Sequence, residues 1–202
     1  MNRRAMLALK RALLAIAAPV LLTACSSQPE PEPEPPLAGA AIGGEFTLID
    51  KTGKEVRWSD FDGSWRTIYF GFTFCPDACP LDMDKLMKGF RQFEQAHPDR
   101  AAKMQPLFVS IDPERDGPKE VGQFAAAFHP RLIGLTGSPE QVQAAANAFV
   151  AYYRKGEETA GGYLMDHSRQ AYLMDAEGKP VALLPIDQSS EAVAAELDKW
   201  VR

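Results

Sequence analysis

An α/β fold in three layers is what this 202-residue sequence predicts, and three observations predict it. Residues 67–72 (TIYFGF) and 106–111 (PLFVSI) are uncharged, β-branched or aromatic runs that read as strands buried on both faces. Each precedes a segment whose apolar residues recur at helical spacing. A hairpin and a last helix then close the chain, an order that covers a central sheet on both sides. With 46% apolar and 9% aromatic residues the chain can bury one full core, so one folded domain is expected.

The elements follow in order. From Gly44 the pattern is strand-like (Phe46, Leu48), and residues 50–54 (DKTGK) make a turn, so a small β-hairpin precedes the main fold. After the first buried strand, residues 80–95 carry apolar side chains at 83, 86, 87, 90 and 93, a helix with one buried side. The second strand leads to a helix at 119–128, a short strand at 132–135 and a helix at 139–152. Residues 171–175 and 180–184, separated by Ala176-Glu177-Gly178-Lys179, form an antiparallel hairpin, and a final helix runs over about 190–201. The thioredoxin fold has this order. The expectation is therefore a thioredoxin-like three-layer fold with an N-terminal β-hairpin and an inserted helix and strand around residues 118–136.

Upstream of the fold, residues 12–24 are uncharged and mostly apolar and follow a basic stretch. Thirteen residues are too few for a bilayer that needs about 20, so residues 1–24 read as a signal peptide. The run ends in Leu22-Thr23-Ala24-Cys25, which resembles the bacterial lipobox and makes Cys25 the expected lipidated N-terminus of the mature protein. An ordinary secretory signal beside a chance cysteine is the other reading. Arg3-Arg4 resembles a twin-arginine export signal. Residues 28–36 alternate Pro and Glu, a composition that favours extended polyproline II. At ~3.1 Å per residue it makes a tether of roughly 25–30 Å. The expected organisation is a signal peptide at 1–24, lipidated Cys25 with its tether to residue 38, and the folded domain at 39–202. The expected location is that of an exported bacterial lipoprotein, anchored to the membrane by its lipid and facing the periplasm or cell exterior.

The formal charge is -5. Setting aside Arg3, Arg4, Lys10 and Arg11 leaves 18 of the 22 bases against 27 acids. Such a domain lacks the basic face that phosphate neutralisation requires, so nucleic acid is not an expected partner. A basic or metal-bearing partner suits it better.

Cys75-Pro76-Asp77-Ala78-Cys79-Pro80 stands where the first buried strand meets its helix. Cysteines at i and i+4 share a face if the segment is helical, and their sulfurs then approach either each other or a common metal. The helix N-terminus is expected to lower their pKa and raise the thiolate fraction, the form that binds soft metals and attacks disulfides. An inert disulfide is the alternative, although one closing so short a loop restrains the unfolded chain little.

With Cys25 lipidated, a metal at these two thiols needs ligands from elsewhere. His97, before Pro98, and His129, before Pro130, read as surface or capping residues. His167, in the run YLMDHS at 163–168, directly precedes the hairpin strand, in a loop that the element order places beside the cysteines. Asp166 is a candidate to orient its imidazole. Two thiolates and one imidazole make a three-coordinate site suited to Cu(I), and to Cu(II) with an added water or oxygen ligand. Zinc competes, but a structural zinc site usually has four protein ligands and a fourth is not evident. Met83, Met87 and Met165 are soft and near in sequence, yet methionines at helical spacing usually fill cores. Asp112-Pro113-Glu114-Arg115-Asp116 follows the second strand at the carboxyl edge of the sheet. It reads as a charged turn with an internal Arg–carboxylate pair, or as part of the face shown to a partner.

Five blocks occur in order: 69–80 (YFGFTFCPDACP), 112–116 (DPERD), 128–131 (FHPR), 134–137 (GLTG) and 166–168 (DHS). Through them the chain from Gly43 to Trp200 resembles the Sco/SenC family of copper chaperones, thioredoxin-like proteins that serve assembly of the dinuclear copper centre of cytochrome c oxidase. By this resemblance Cys75 and Cys79 correspond to the family's metal cysteines and His167 to its metal histidine. Phe74 stands where many members have a histidine, which removes an accessory ligand, and the lipid anchor replaces the transmembrane helix of other members. The resemblance implies copper, Cu(I) and also Cu(II), and the copper-bearing subunit of cytochrome c oxidase as partner. Other periplasmic copper carriers or thiol reductants are further candidates.

A second function class uses the same residues. A thiol-disulfide oxidoreductase would cycle Cys75 and Cys79 through a mixed disulfide, reducing the cysteines of the oxidase copper site or of another exported target. Against it as the sole role, three residues separate the cysteines instead of the two usual in thioredoxins. His167 also stands where thioredoxins place a cis-proline.

Overall fold

The computed structural model describes residues 33–159 and 162–202. The expected signal peptide, Cys25 and the tether as far as residue 32 lie outside the described residues. The elements are β1 (Thr47–Ile49), β2 (Glu55–Arg57), a 3-10 turn (Trp58–Phe61), β3 (Trp65–Gly71), α1 (Ala78–Ala96), a single helical turn (Pro98–Ala101), β4 (Met104–Ser110) and α2 (Pro118–Phe128). They continue with β5 (Ile133–Leu135), α3 (Pro139–Ala148), β6 (Tyr153–Thr159), β7 (Gly162–His167), β8 (Ala171–Met174), β9 (Pro180–Leu184) and α4 (Ser190–Trp200). Among the described residues no helix is long and apolar enough to cross a membrane.

The central sheet runs β5-β4-β3-β8-β9. β3, β4 and β5 are parallel, which obliges the helical crossovers α1 and α2, whereas β8 and β9 join antiparallel through a short turn. β3 is buried from Arg66 to Gly71 because both of its faces are covered. On one face Tyr69 stacks on Phe108 at 6.5 Å, and Phe108 meets Phe124 of α2 at 4.6 Å. On the other, Phe70 packs on Phe149 at 5.5 Å, and Phe149 meets Trp58 at 5.1 Å and Phe46 at 6.2 Å, so the N-terminal hairpin and the end of α3 close that side. α4 lies along α1 where Gly89 has no side chain; a Cβ there would fall 2.6 Å from Val193.

The thioredoxin-like α/β order, the N-terminal hairpin and the inserted α2 and β5 stand as expected. Two regions differ. The third helix stops at Ala148, short of residue 152, because Val150 adopts a positive φ of 53° and the Ala151 N–H donates back to the Ala146 carbonyl. Beyond it, β6 and β7 form a separate antiparallel hairpin that the sequence does not predict. His167 is the last residue of β7 and not part of a loop. At the start of the described chain, the Leu37 N–H donates to the Val181 carbonyl at 3.0 Å.

Candidate metal centre

The cysteines occupy the step from β3 into α1. Gly71 ends the strand, residues 72–77 form a loop, and α1 begins at Ala78, so Cys75 lies outside the helix and Cys79 within its first turn. The Cys79 N–H donates to the Cys75 sulfur at 3.3 Å, which seats that sulfur at the amide-rich start of the helix. Asp116 holds the loop from below. Its carboxylate accepts from the Thr73 N–H at 2.8 Å and from the Ser110 hydroxyl at 2.7 Å, and burial pushes its carboxyl above the ordinary range.

His167 reaches the same place from the end of β7. Its Nε2 is 3.3 Å from the Cys79 sulfur, and its Nδ1 is 2.8 Å from the Ser168 carbonyl oxygen. A carbonyl only accepts, so the proton is on Nδ1 and the lone pair of Nε2 faces the sulfur. Tyr69 and Phe72 stand edge-on to the imidazole at 6.3 and 5.9 Å. Burial lowers the His167 pKa and keeps the ring neutral, its ligating form. The expected thiolate character does not hold for Cys79. That thiol is fully buried, and burial pushes its pKa up, outweighing the helix N-terminus. A metal at Cys79 must therefore displace a proton.

The donor chemistry fits a soft ion: Cys75 and His167 line one cleft with Phe72, Leu164 and Met165, and the buried Cys79 sulfur lies behind it, 3.3 Å from the imidazole nitrogen. Among the described residues no three His, Cys, Asp or Glu side chains already stand converged for an ion. Cys79 links the other two donors, through its N–H to Cys75 and through its sulfur to His167, and closing the set asks Cys75 to turn its sulfur in from that amide.

The other sequence candidates sort cleanly. His97 pairs with Asp198 at 3.0 Å, and His129 is buried against Phe90 with Glu94 at 3.4 Å, so both are occupied elsewhere. Met83 and Met87 are core residues; Met165 is partly buried in the cleft wall. Asp166 does not orient the imidazole. It pairs with Arg154 at 2.7 Å, and the Ser168 carbonyl takes that role.

The turn at 112–116 contains the expected Arg115–Asp112 pair and does more. Tyr163 of β7 donates its hydroxyl to Asp112 at 2.8 Å, and Arg115 donates to the Tyr163 carbonyl at 2.8 Å. The Arg115 guanidinium lies 3.6 Å over the Tyr163 ring and 5.1 Å from that of Phe74, so one arginine ties the hairpin to the cysteine loop. Phe74 and Leu164 are 54% and 56% exposed, an apolar rim at the cleft.

Two residues near the cysteines, Asp82 and Arg169, fall in none of the five sequence blocks. Asp82 of α1 is 1% exposed and accepts from the Tyr69 hydroxyl at 2.9 Å. It also accepts from both arms of Arg169, at 2.8 and 2.6 Å. A signal existed: 82 falls between the buried positions 79, 83 and 86, so its carboxylate lies on the apolar face of the helix.

A thioredoxin-like sheet with two thiols at the β3–α1 step and an imidazole facing them defines a protein built for soft-metal or disulfide chemistry. Residues 34–202 match the SCO1/SenC family, and the chain belongs to it. It is 46% identical over 170 residues to "Protein SCO1 homolog 1, mitochondrial" of Arabidopsis thaliana, covering 82% of this chain and 50% of that protein, so it spans about half the length of that relative. Among solved structures, Arabidopsis thaliana ScoI with copper bound superposes with a TM-score of 0.74 at 39% identity, over 79% of this chain and 97% of that one. Bradyrhizobium japonicum ScoI with copper bound gives 0.71 at 34% identity, over 80% and 100%.

Proposed function

We propose that this protein is a copper carrier that holds the ion on Cys75, Cys79 and His167 and delivers it to, or prepares, the dinuclear copper site of cytochrome c oxidase. One observation carries the reading: the Nε2 lone pair of a neutral His167 sits 3.3 Å from the Cys79 sulfur, with the other ring nitrogen fixed by the Ser168 carbonyl. The copper-bound relatives support it. Transfer proceeds by ligand exchange, in which thiols and imidazoles of the copper-bearing oxidase subunit replace these donors one at a time, and no turnover is needed. The apolar rim of Phe74 and Leu164 suits a docked protein surface that excludes water during the exchange.

The experiment is an anaerobic Cu(I) titration of reduced residues 34–202, which form one compact unit with its own core, against a competing chelator. One tightly held copper per chain, weakened in His167→Ala, supports the carrier. Absence of competitive binding in either protein overturns it.

A second reading has an observation of its own. Cys75 is partly exposed and Cys79 buried, the asymmetry of an attacking and a resolving thiol. The Cys75 thiolate would attack a target disulfide; Cys79 would then resolve the mixed disulfide, leaving the target reduced and Cys75–Cys79 oxidised. His167→Ala separates the two, since it should weaken copper binding and spare disulfide reduction. Export and lipid attachment at Cys25, placing the domain on the periplasmic or external face, belong to the same proposal. Loss of radiolabelled palmitate from Cys25→Ala tests them.

A further inference from the structure

The cysteines and the histidine arrive on different segments, and the nearest backbone pairing between those segments is Tyr69 of β3 with Ala171 of β8, four residues beyond His167. Cys75 and Cys79 belong to the β3–α1 step, His167 to the end of β7. Between that pairing and the donors, one bidentate ion pair crosses from the histidine segment to α1. Arg169, two residues beyond His167, places Nε and Nη2 at 2.8 and 2.6 Å from the two carboxylate oxygens of Asp82, three residues beyond Cys79. Tyr69 of β3 donates to the same carboxylate at 2.9 Å, and its ring stands edge-on to His167.

The link is two-pronged and one-ended in water. Asp82 is buried, whereas the Arg169 side chain is 51% exposed and lines the cleft that holds Cys75 and His167. A planar guanidinium gripping both oxygens of a fixed carboxylate sets orientation as well as distance. Asp82 cannot move, because it is on the buried face of α1 and is held by Tyr69. The pair therefore locates residue 169, and with it the short segment 167–169, against the helix that carries Cys79.

We infer that Arg169 is a positioning residue: through its bidentate bridge to Asp82 it holds the His167 imidazole at the distance from Cys79 at which both can ligate one soft ion. The inference rests on the copper reading for its use but on geometry for its existence. Without the bridge, His167 is located by the Ser168 carbonyl of its own segment, by ring contacts with Tyr69 and Phe72, by the Ser168–Tyr152 hydrogen bonds of the exposed β6–β7 hairpin, and by the Tyr69–Ala171 pairing four residues on, none of which fixes the ring against α1. Partners of this kind behind metal ligands typically change affinity by about 10- to 100-fold.

The test uses reduced, metal-free residues 34–202 and reads the His167 ring directly by long-range proton–nitrogen NMR, beside Cu(I) competition titrations. The parent protein should show one ring tautomer with the proton on Nδ1. Arg169→Met should show averaged ring signals and bind Cu(I) about 10- to 100-fold more weakly, while Arg169→Lys, which keeps the charge and loses the fork, recovers only part of either. Removing Arg169 leaves a buried carboxylate with one partner, so Asp82→Asn combined with Arg169→Met separates stability from position. It should unfold no more easily than Arg169→Met and still show the averaged ring. A ring signal unchanged in Arg169→Met and in the double variant overturns the inference, whatever copper does. Ring averaging with no Cu(I) binding even in the parent leaves the bridge standing and overturns the carrier instead.

Discussion

The two regions that meet at the candidate site are built in opposite ways. The β3–α1 step stands on an enclosed base: Phe70, Phe108 and Met83 are buried beneath it and Asp116 ties its loop from below, while Phe74, Pro76 and Asp77 face outward. The β6–β7 hairpin is open. Along β7 exposed and half-buried residues alternate, and the hairpin meets the body through polar and cation–π contacts of Arg115, Tyr163 and Asp112 and through the partly buried Tyr153 and Met165. The sulfurs thus sit on a rigid platform and the imidazole on an arm. The proposed carrier role would call for both properties, since an ion must be held firmly and also released.

The comparison breaks first under substitution of the platform. Phe70→Ala should cost about 3–5 kcal/mol in urea unfolding, because the ring fills the space against Phe149. If it cost no more than an exposed hairpin substitution such as Leu164→Ala, the contrast would be wrong. Next comes the latch. Arg115→Gln strands the buried Asp112 with the Tyr163 hydroxyl as its remaining side-chain partner, an expected loss of about 1–3 kcal/mol. Hydrogen exchange should quicken in β7 amides and stay unchanged in β3; equal quickening in both would mean that the hairpin is not a separate arm.

Proton release sharpens the platform side. Burial keeps Cys79 protonated well beyond its ordinary pKa, so copper displaces that proton across the neutral range. Cu(I) affinity should rise about tenfold per pH unit for each proton released between pH 6 and 8, read by competition at several pH values. A flat profile would place a standing thiolate at the site. The smallest effect concerns the arm. The folded His167 pKa lies below its ordinary 6.5, so between the two values the unfolded chain binds more protons than the folded one. Metal-free stability should therefore fall as pH drops through 6.5, and His167→Ala should flatten that limb in a denaturation series. An unchanged limb would assign it to other groups.

This contrast also explains what could be read in advance. Buried segments announce themselves by apolar runs and spacing, which is why β3, β4, α1 and the β8–β9 pair were legible within a few residues. The hairpin strand 153–159 (YRKGEET) mixes charge, glycine and a single aromatic, so no alternation marks it. His167 was legible as a partner of the cysteines through its place in the chain order and through the family blocks. Its supports were not. Asp82 and Arg169 are 87 residues apart and paired in three dimensions, and only the oddity of an acid on an apolar helix face hinted at the first. The thiol character of Cys79 was misread because a helix N-terminus is visible in sequence and the depth of burial is not.

The contact between Leu37 and Val181 fixes where the chain enters the domain. Val181 lies near the start of β9, level with Met174 and Arg66, at the end of the sheet away from Gly71 and the cysteines. The donors stand at the opposite end of the sheet, beyond Gly71, so the segment that leads into the domain and the cleft that faces a partner lie at opposite ends of the strands.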